Sequence, residues 1–130
     1  MGDVTERNLA EHLIAELHAA RVRGDLVAMC SLFADQGRFR IAGAGADKPI
    51  AINTDSLAMF RPWLSMMVKV FRLDGYGLTL LIVEGSRAAA QWHADIYSKV
   101  TGITVPTDLV DLVEVSDGRI VSYTEFFVPS

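Results

Sequence analysis

The chain has 130 residues, enough for one domain with a sizeable core, and 51% of them are hydrophobic. A net charge of −4 leaves no electrostatic footprint for nucleic acid, and no apolar run approaches the roughly 18 residues of a membrane span. The polar, acidic start is unlike a secretory signal and Cys30 is alone, so a cytoplasmic protein without internal disulfides, nucleic-acid partner or membrane partner is expected.

Leu9, Leu13, Leu17 and Ala20 repeat at helical spacing and predict a helix over 5–22, capped by Thr5 and stopped by Gly24. His12 and His18 fall off that stripe and are expected in solvent. Asp25 can cap a shorter second helix with Leu26, Met29, Cys30 and Phe33 inward, which makes Cys30 core rather than nucleophile. RFRI (Arg38 to Ile41) reads as a short strand, ended by the loop AGAGADKP. The Gly43-Ala44-Gly45 segment lacks the third glycine of a dinucleotide fingerprint. A third helix is predicted from near Asp55, with Leu57, Phe60, Leu64, Met67 and Val68 on one side; Pro62 predicts a kink or a late start. Strands follow at 76–84, 87–99, 104–116 and 119–128, with turns at Glu84-Gly85, Thr101-Gly102 and Asp117-Gly118. Helices first and a meander after them predict a single α+β domain over 1–130. Three N-terminal helices would pack in the concave face of a curved antiparallel sheet, with a pocket between helix and sheet.

The segment QWHADIY (Gln91 to Tyr97) alternates faces as a strand. His93, Asp95 and Tyr97 share one side, and Trp92, Ala94 and Ile96 the other. Asp111 and Glu125 interrupt later apolar runs, and carboxylates are seldom buried unless paired or functional. Register decides whether these groups meet. A two-residue loop at Asp117-Gly118 would set Asp111 and Glu125 on opposite faces. The three-residue loop Ser116-Asp117-Gly118, which is preferred here, puts Asp111, Tyr123 and Glu125 together. A three-residue loop Thr101-Gly102-Ile103 would set His93 opposite Asp111. The competing reading is that Trp92, Ala94 and Ile96 face the core and His93 and Asp95 face water.

The runs GDLVAMCSLFADQGRF (24–39) and VEVSDGRIVSYTEFF (113–127) resemble the nuclear transport factor 2-like superfamily, in its SnoaL-like and ketosteroid-isomerase-like branch. The resemblance spans nearly the whole chain and implies a cone-shaped fold, known in isomerases, dehydratases, cyclases, epoxide hydrolases and non-catalytic modules. Position by position, the isomerase base matches Ile41 and the oxyanion tyrosine matches Leu17, so neither is present. The neutral acidic donor matches Asp111. The Arg-x-Asp and final acid of limonene-epoxide-hydrolase-like members are similar in position to His93, Asp95 and Glu125, but the water-positioning residues match Phe39 and Ile41. Polyketide cyclases of the SnoaL type rely on a histidine and an aspartate in one cavity.

The candidate catalytic set is therefore His93, Asp95, Asp111 and Glu125, suited to acid–base chemistry: isomerisation, dehydration or cyclisation of a small, largely apolar substrate. His93 would be the base, Asp111 its partner or a neutral donor, and Asp95 or Glu125 the acid. Leu17, Phe39, Trp63, Met67, Tyr97 and Tyr123 are the candidate ligand-binding residues. No metal site and no cofactor are expected, since no ligand pair has metal-binding spacing. The alternative function is non-catalytic binding of an apolar molecule, or a dimeric interaction module. A homodimer through the outer face of the sheet is expected in either case.

Overall fold

A computed structural model describes residues 2–42 and 52–129, with side chains described from 8 to 128. The first helix, α1, runs Gly2–Arg23 and passes through Thr5, so that residue is not its cap. Gly24 does end it. Its φ of +73° allows its own N–H to reach Arg21 O and the next N–H, from Asp25, to reach Ala20 O, a closed C-terminal motif that suits glycine. Asp25 then caps α2 (Leu26–Ser31), accepting the N–H of Ala28 at 3.0 Å.

Strand β1 (Phe33–Ala42) is longer than RFRI, and β2 (Ile52–Ser56) occupies a stretch read as the approach to a helix. Ile52–Ser56 has poor strand propensity, yet it pairs with β1; tertiary pairing overrides local preference. Residues 43–51, with the Gly43-Ala44-Gly45 segment, lie outside the described residues. Helix α3 spans Leu57–Val70, capped by Ser56, and continues through Pro62 rather than starting late. Strands β3 (Phe71–Glu84), β4 (Arg87–Ser98), β5 (Thr104–Ser116) and β6 (Arg119–Pro129) complete the chain.

The sheet order is β2-β1-β6-β5-β4-β3, antiparallel except for the β1–β6 pair. The three helices cover one face: α1 crosses β3, β4 and β5, while α3 spans β1, β2 and β3. The main core lies between them, with Ile14, Leu17, Met29, Phe33, Phe39 and Phe60 buried together. A smaller cluster of Leu73, Trp92, Ala94 and Leu109 fills the far end. No described helix is long and apolar enough to cross a membrane.

Two turns decide which residues face the helices. At β5–β6 the loop is Asp117-Gly118, both at positive φ (51° and 77°), with Ser116 opposite Arg119. This is the two-residue hairpin, not the preferred three-residue one. Alone it would separate Asp111 from Glu125, but the register slips one residue at Val121, between the pairs Glu114–Ser122 and Val115–Ile120. That bulge restores the phase, so Asp111, Tyr123 and Glu125 still share a face. Gly37 is fitted against it: a Cβ there would lie 2.5 Å from Val121 O. At β4–β5, Ser98 pairs with Ile103 and the loop is Lys99 to Gly102, one residue longer than expected. His93 therefore faces Asp108, and Asp111 faces Ala90. One residue of loop length has moved His93 and Asp95 to the opposite side of the sheet from Asp111.

Candidate active site

Asp111 is the centre of the buried polar group, with no exposed surface. Its Oδ2 accepts Trp92 Nε1–H at 3.1 Å and lies 2.7 Å from His18 Nε2. Its Oδ1 lies 3.3 Å from the Tyr123 hydroxyl. An indole N–H can only donate, so Oδ2 accepts in that contact. On the far side of the imidazole, His18 Nδ1 meets the Tyr76 hydroxyl at 2.7 Å. Tyr76 is 37% exposed and is the solvent end of the chain of contacts.

At the other end, Tyr123 Oη is 2.9 Å from Glu125 Oε1. Arg21 donates through Nη1 to the same oxygen and through Nη2 to Oε2 at 3.4 Å. The side chains of Arg21 and Glu125 are only 9% and 4% exposed. His18 and Arg21, three apart on α1, both rest on Trp92: the imidazole centroid is 4.8 Å from the indole and the guanidinium carbon 5.2 Å. Burial would lower the Arg21 pKa, but Glu125, Tyr123 and Asp111 together raise it. The Tyr123 hydroxyl is driven well above its ordinary range by burial first, then by Asp111 and Glu125, against the opposing pull of Arg21. Tyr76 is raised too, by burial and then by Asp111.

Beside this group lies a cavity of about 540 Å³ between α3 and the ends of β4, β5 and β6. Trp63, Met66, Met67, Phe71, Ile96 and Leu109 give it an apolar wall, and Arg21 and Glu125 are its charged lining residues. Thr107, Ser98 and Thr101 add hydroxyls, with exposed Ile103 among the lining at the open side. The shape and chemistry suit a small apolar molecule with one polar group, which Glu125 and Arg21 would meet.

Of the sequence candidates, Asp111 and Glu125 come together through Tyr123, and Glu125 reaches the cavity. Asp111 stands behind it, both oxygens engaged. His93 and Asp95 are placed elsewhere: they face out of the sheet, where His93 contacts Asp108 at 3.0 Å and Asp95 at 3.3 Å. Those two hydrogen bonds, with Asp108 the stronger influence, raise the His93 pKa in a surface setting. Trp63 and Met67 do line the cavity. Leu17 and Phe39 are consumed by the main core. Tyr97 shares the outer side with His93, under the Arg72 guanidinium at 4.6 Å, and Tyr123 sits behind Glu125 rather than on the cavity wall.

His18 corrects the sequence reading: it is 2% exposed, not solvated. Arg21, Tyr76 and the indole of Trp92 were also unassigned. One signal was available for His18 and Arg21. Ala10, Ile14 and His18 repeat at four-residue spacing beside the chosen stripe, and Arg21 follows; an inward helical face wider than about 100° takes in both lines. His12, by contrast, is exposed as expected. No group of His, Cys, Asp and Glu able to hold a metal occurs among the described residues.

Residues 14–123 match the family model of the SnoaL-like domain. No curated protein matches the sequence. Among solved structures, a Bacillus subtilis protein provisionally named an isomerase superposes with a TM-score of 0.83 at 18% identity, over 95% of this chain and 88% of that one. An epoxide hydrolase of the LEH-like type from M. tuberculosis gives 0.75 at 14% identity, over 95% and 85% of the two chains. A provisionally named polyketide cyclase from Xanthomonas campestris gives 0.71 at 22% identity, over 93% and 91%. These likenesses establish a common fold shared by proteins of different activities.

Proposed function

The chain belongs to the SnoaL-like domain family, and from its cavity we propose that it catalyses proton transfer on a small, largely apolar substrate, as an isomerase, dehydratase or cyclase would. The observation that supports this reading is the Arg21–Glu125 pair, buried and set in a largely apolar cavity whose other lining residues are uncharged. A buried ion pair is a poor device for stability, since apolar residues of equal volume often serve as well. Its place in a cavity fits a role in chemistry. Glu125 would move the proton, while Arg21 holds the carboxylate and offers a positive charge to oxygen that becomes negative as the proton leaves. Asp111 and Tyr123 would support Glu125 from behind. His93 has no part in this scheme.

The test is deuterium exchange and isomerisation, followed by NMR, across a panel of small alicyclic enones and hydroxyketones. A substrate turned over by the parent should be turned over about 10²–10⁴-fold more slowly by Glu125→Gln. His93→Ala should match the parent. Equal rates in Glu125→Gln and parent would sink the proposal. Tight binding of apolar panel members with no turnover by any form would favour the second reading, a binding protein, which the apolar lining also supports.

We also propose that two copies meet through the outer face of the sheet. Leu80, Ile82, Leu112, Phe126 and Val128 are all exposed there. A contiguous apolar face of this kind marks an interaction site. The same face carries charges of both signs, Arg87 and Glu114 among them, so a symmetric contact need not set like charges together. Sedimentation should give twice the 14.2 kDa chain mass, and Leu112→Glu should return it to the single-chain value. A parent that sediments as one chain at all concentrations would refute this.

A further inference from the structure

The buried polar group has fewer protons than acceptors, and the shortage falls on Tyr123. Its one hydroxyl proton lies between two carboxylates, with Glu125 Oε1 at 2.9 Å and Asp111 Oδ1 at 3.3 Å. It can serve only one at a time. Which one depends on how well Asp111 is supplied from elsewhere. Trp92 always donates to it. A neutral His18 donates to it only as the Nε2–H tautomer, in which Nδ1 accepts the Tyr76 O–H. Tyr76 lies on β3 beside a groove it shares with α1, so this control ends at the surface.

We propose that Tyr76 and His18 are positioning residues for the cavity carboxylate: through Asp111 they direct the single proton of Tyr123, and so set how readily Glu125 gains or loses a proton. The inference rests on the acid–base reading of Glu125. When Glu125 takes a proton, the bond from that proton to the substrate breaks, its electron pair stays on the substrate, and an O–H forms on Glu125. The new O–H donates to Tyr123 Oη, whose own proton turns to Asp111 Oδ1. No further proton is needed, and the charge lost at Glu125 leaves Arg21 to face the substrate. The groups that face His18 are Tyr76 from β3, Trp92 from β4 and Asp111 from β5, and Glu11 of its own helix lines the same groove.

The direction of the effect follows. Tyr76→Phe removes the donor to Nδ1, weakens the Nε2–H tautomer, and leaves Asp111 short of a donor. Tyr123 then turns toward Asp111, and Glu125, now less hydrogen-bonded as an anion, gains a proton more readily. Tyr76 is partly exposed and its ring remains in the variant, so the fold should be retained, as an amide NMR spectrum would verify.

The experiment is a pH titration of side-chain carboxyl ¹³C and imidazole ¹⁵N signals, with no substrate present. The Glu125 midpoint should rise in Tyr76→Phe by about half a pH unit, a threefold change in proton affinity. The same substitution in a Tyr123→Phe background should produce no shift, since the connecting hydroxyl is gone. In the unsubstituted protein the His18 ¹⁵N signals should move at the Glu125 midpoint, as reciprocity of linked equilibria demands. A merely structural Tyr76 would change stability and leave the Glu125 titration where it was. An unmoved midpoint in Tyr76→Phe, a shift that persists without the Tyr123 hydroxyl, or His18 signals indifferent to Glu125 would each overturn the inference. The titration requires no turnover, so it can fail while Glu125 remains catalytic, and can succeed if Glu125 proves only to bind.

Discussion

Asp111→Ala should destabilise the protein by about 3–5 kcal/mol, because it removes the acceptor for three buried groups at once and each orphaned donor costs about 1–3 kcal/mol. Among the described residues, Asp111 is the hydrogen-bond partner of Trp92 Nε1–H. His18 and Tyr123 keep one each, in Tyr76 and Glu125, which holds the total below the simple sum. Asp111→Asn is the informative companion. The asparagine amide keeps one oxygen for Trp92 and His18 and can turn its NH₂ toward the Tyr123 oxygen, so its cost should be about 1–2 kcal/mol, the difference between charged and neutral acceptors. Urea denaturation checks both: the midpoint should fall in that order with the slope unchanged. A small loss in Asp111→Ala would mean that water satisfies the group, and that Asp111 is not the anchor on which α1 is held to β4 and β5.

The sequence pointed to Asp111 and Glu125 because an acid inside an apolar strand is conspicuous on its own, without any partner. Gly24 and Asp25 were equally legible, since helix ends are governed by local hydrogen bonds. What could not be read was parity. Whether His93 or Trp92 faces the helices depends on whether the Ser98–Ile103 turn holds three residues or four, and Gly102 at φ +72° is compatible with more than one solution. The β5–β6 hairpin shows the same difficulty from the other side. The expected sharing of a face by Asp111, Tyr123 and Glu125 holds, but for a different reason: a shorter turn and a bulge at Val121 cancel. Strand β2 was hidden because INTDS carries its strand character only in its pairing with β1. The first half of β3 was hidden because FRLDGYG reads as a turn, and the strand does break register between Asp74 and Gly77. His18 and Arg21 were overlooked for a simpler cause. A polar residue on a helix is assumed to be wet until a buried partner is known, and their carboxylate partners lie more than ninety residues away.

The Arg21–Glu125 pair permits a sharper separation of stability from chemistry. Glu125→Met should cost about 3–5 kcal/mol, chiefly because it leaves a buried guanidinium without its counter-ion. Arg21→Met should also destabilise, though less, since Glu125 retains the Tyr123 hydroxyl. The double substitution Arg21→Met with Glu125→Met should return to within about 1–2 kcal/mol of the parent, because it removes both charges and fills the space with side chains like Met66 and Met67, which already line the cavity. The two sites touch, so this recovery is a coupling energy, readable from a thermodynamic cycle of urea midpoints. The double variant is then a folded protein with no charged residue lining its cavity. If the pair exists for proton transfer, this protein should bind apolar ligands at least as tightly as the parent while losing turnover. If its turnover matched the parent's, the reactive group would have to lie elsewhere. If instead the double variant stayed as unstable as Glu125→Met, the pair would be part of the architecture that holds α1 on the sheet. Its place at the cavity would then be a consequence of packing rather than of chemistry.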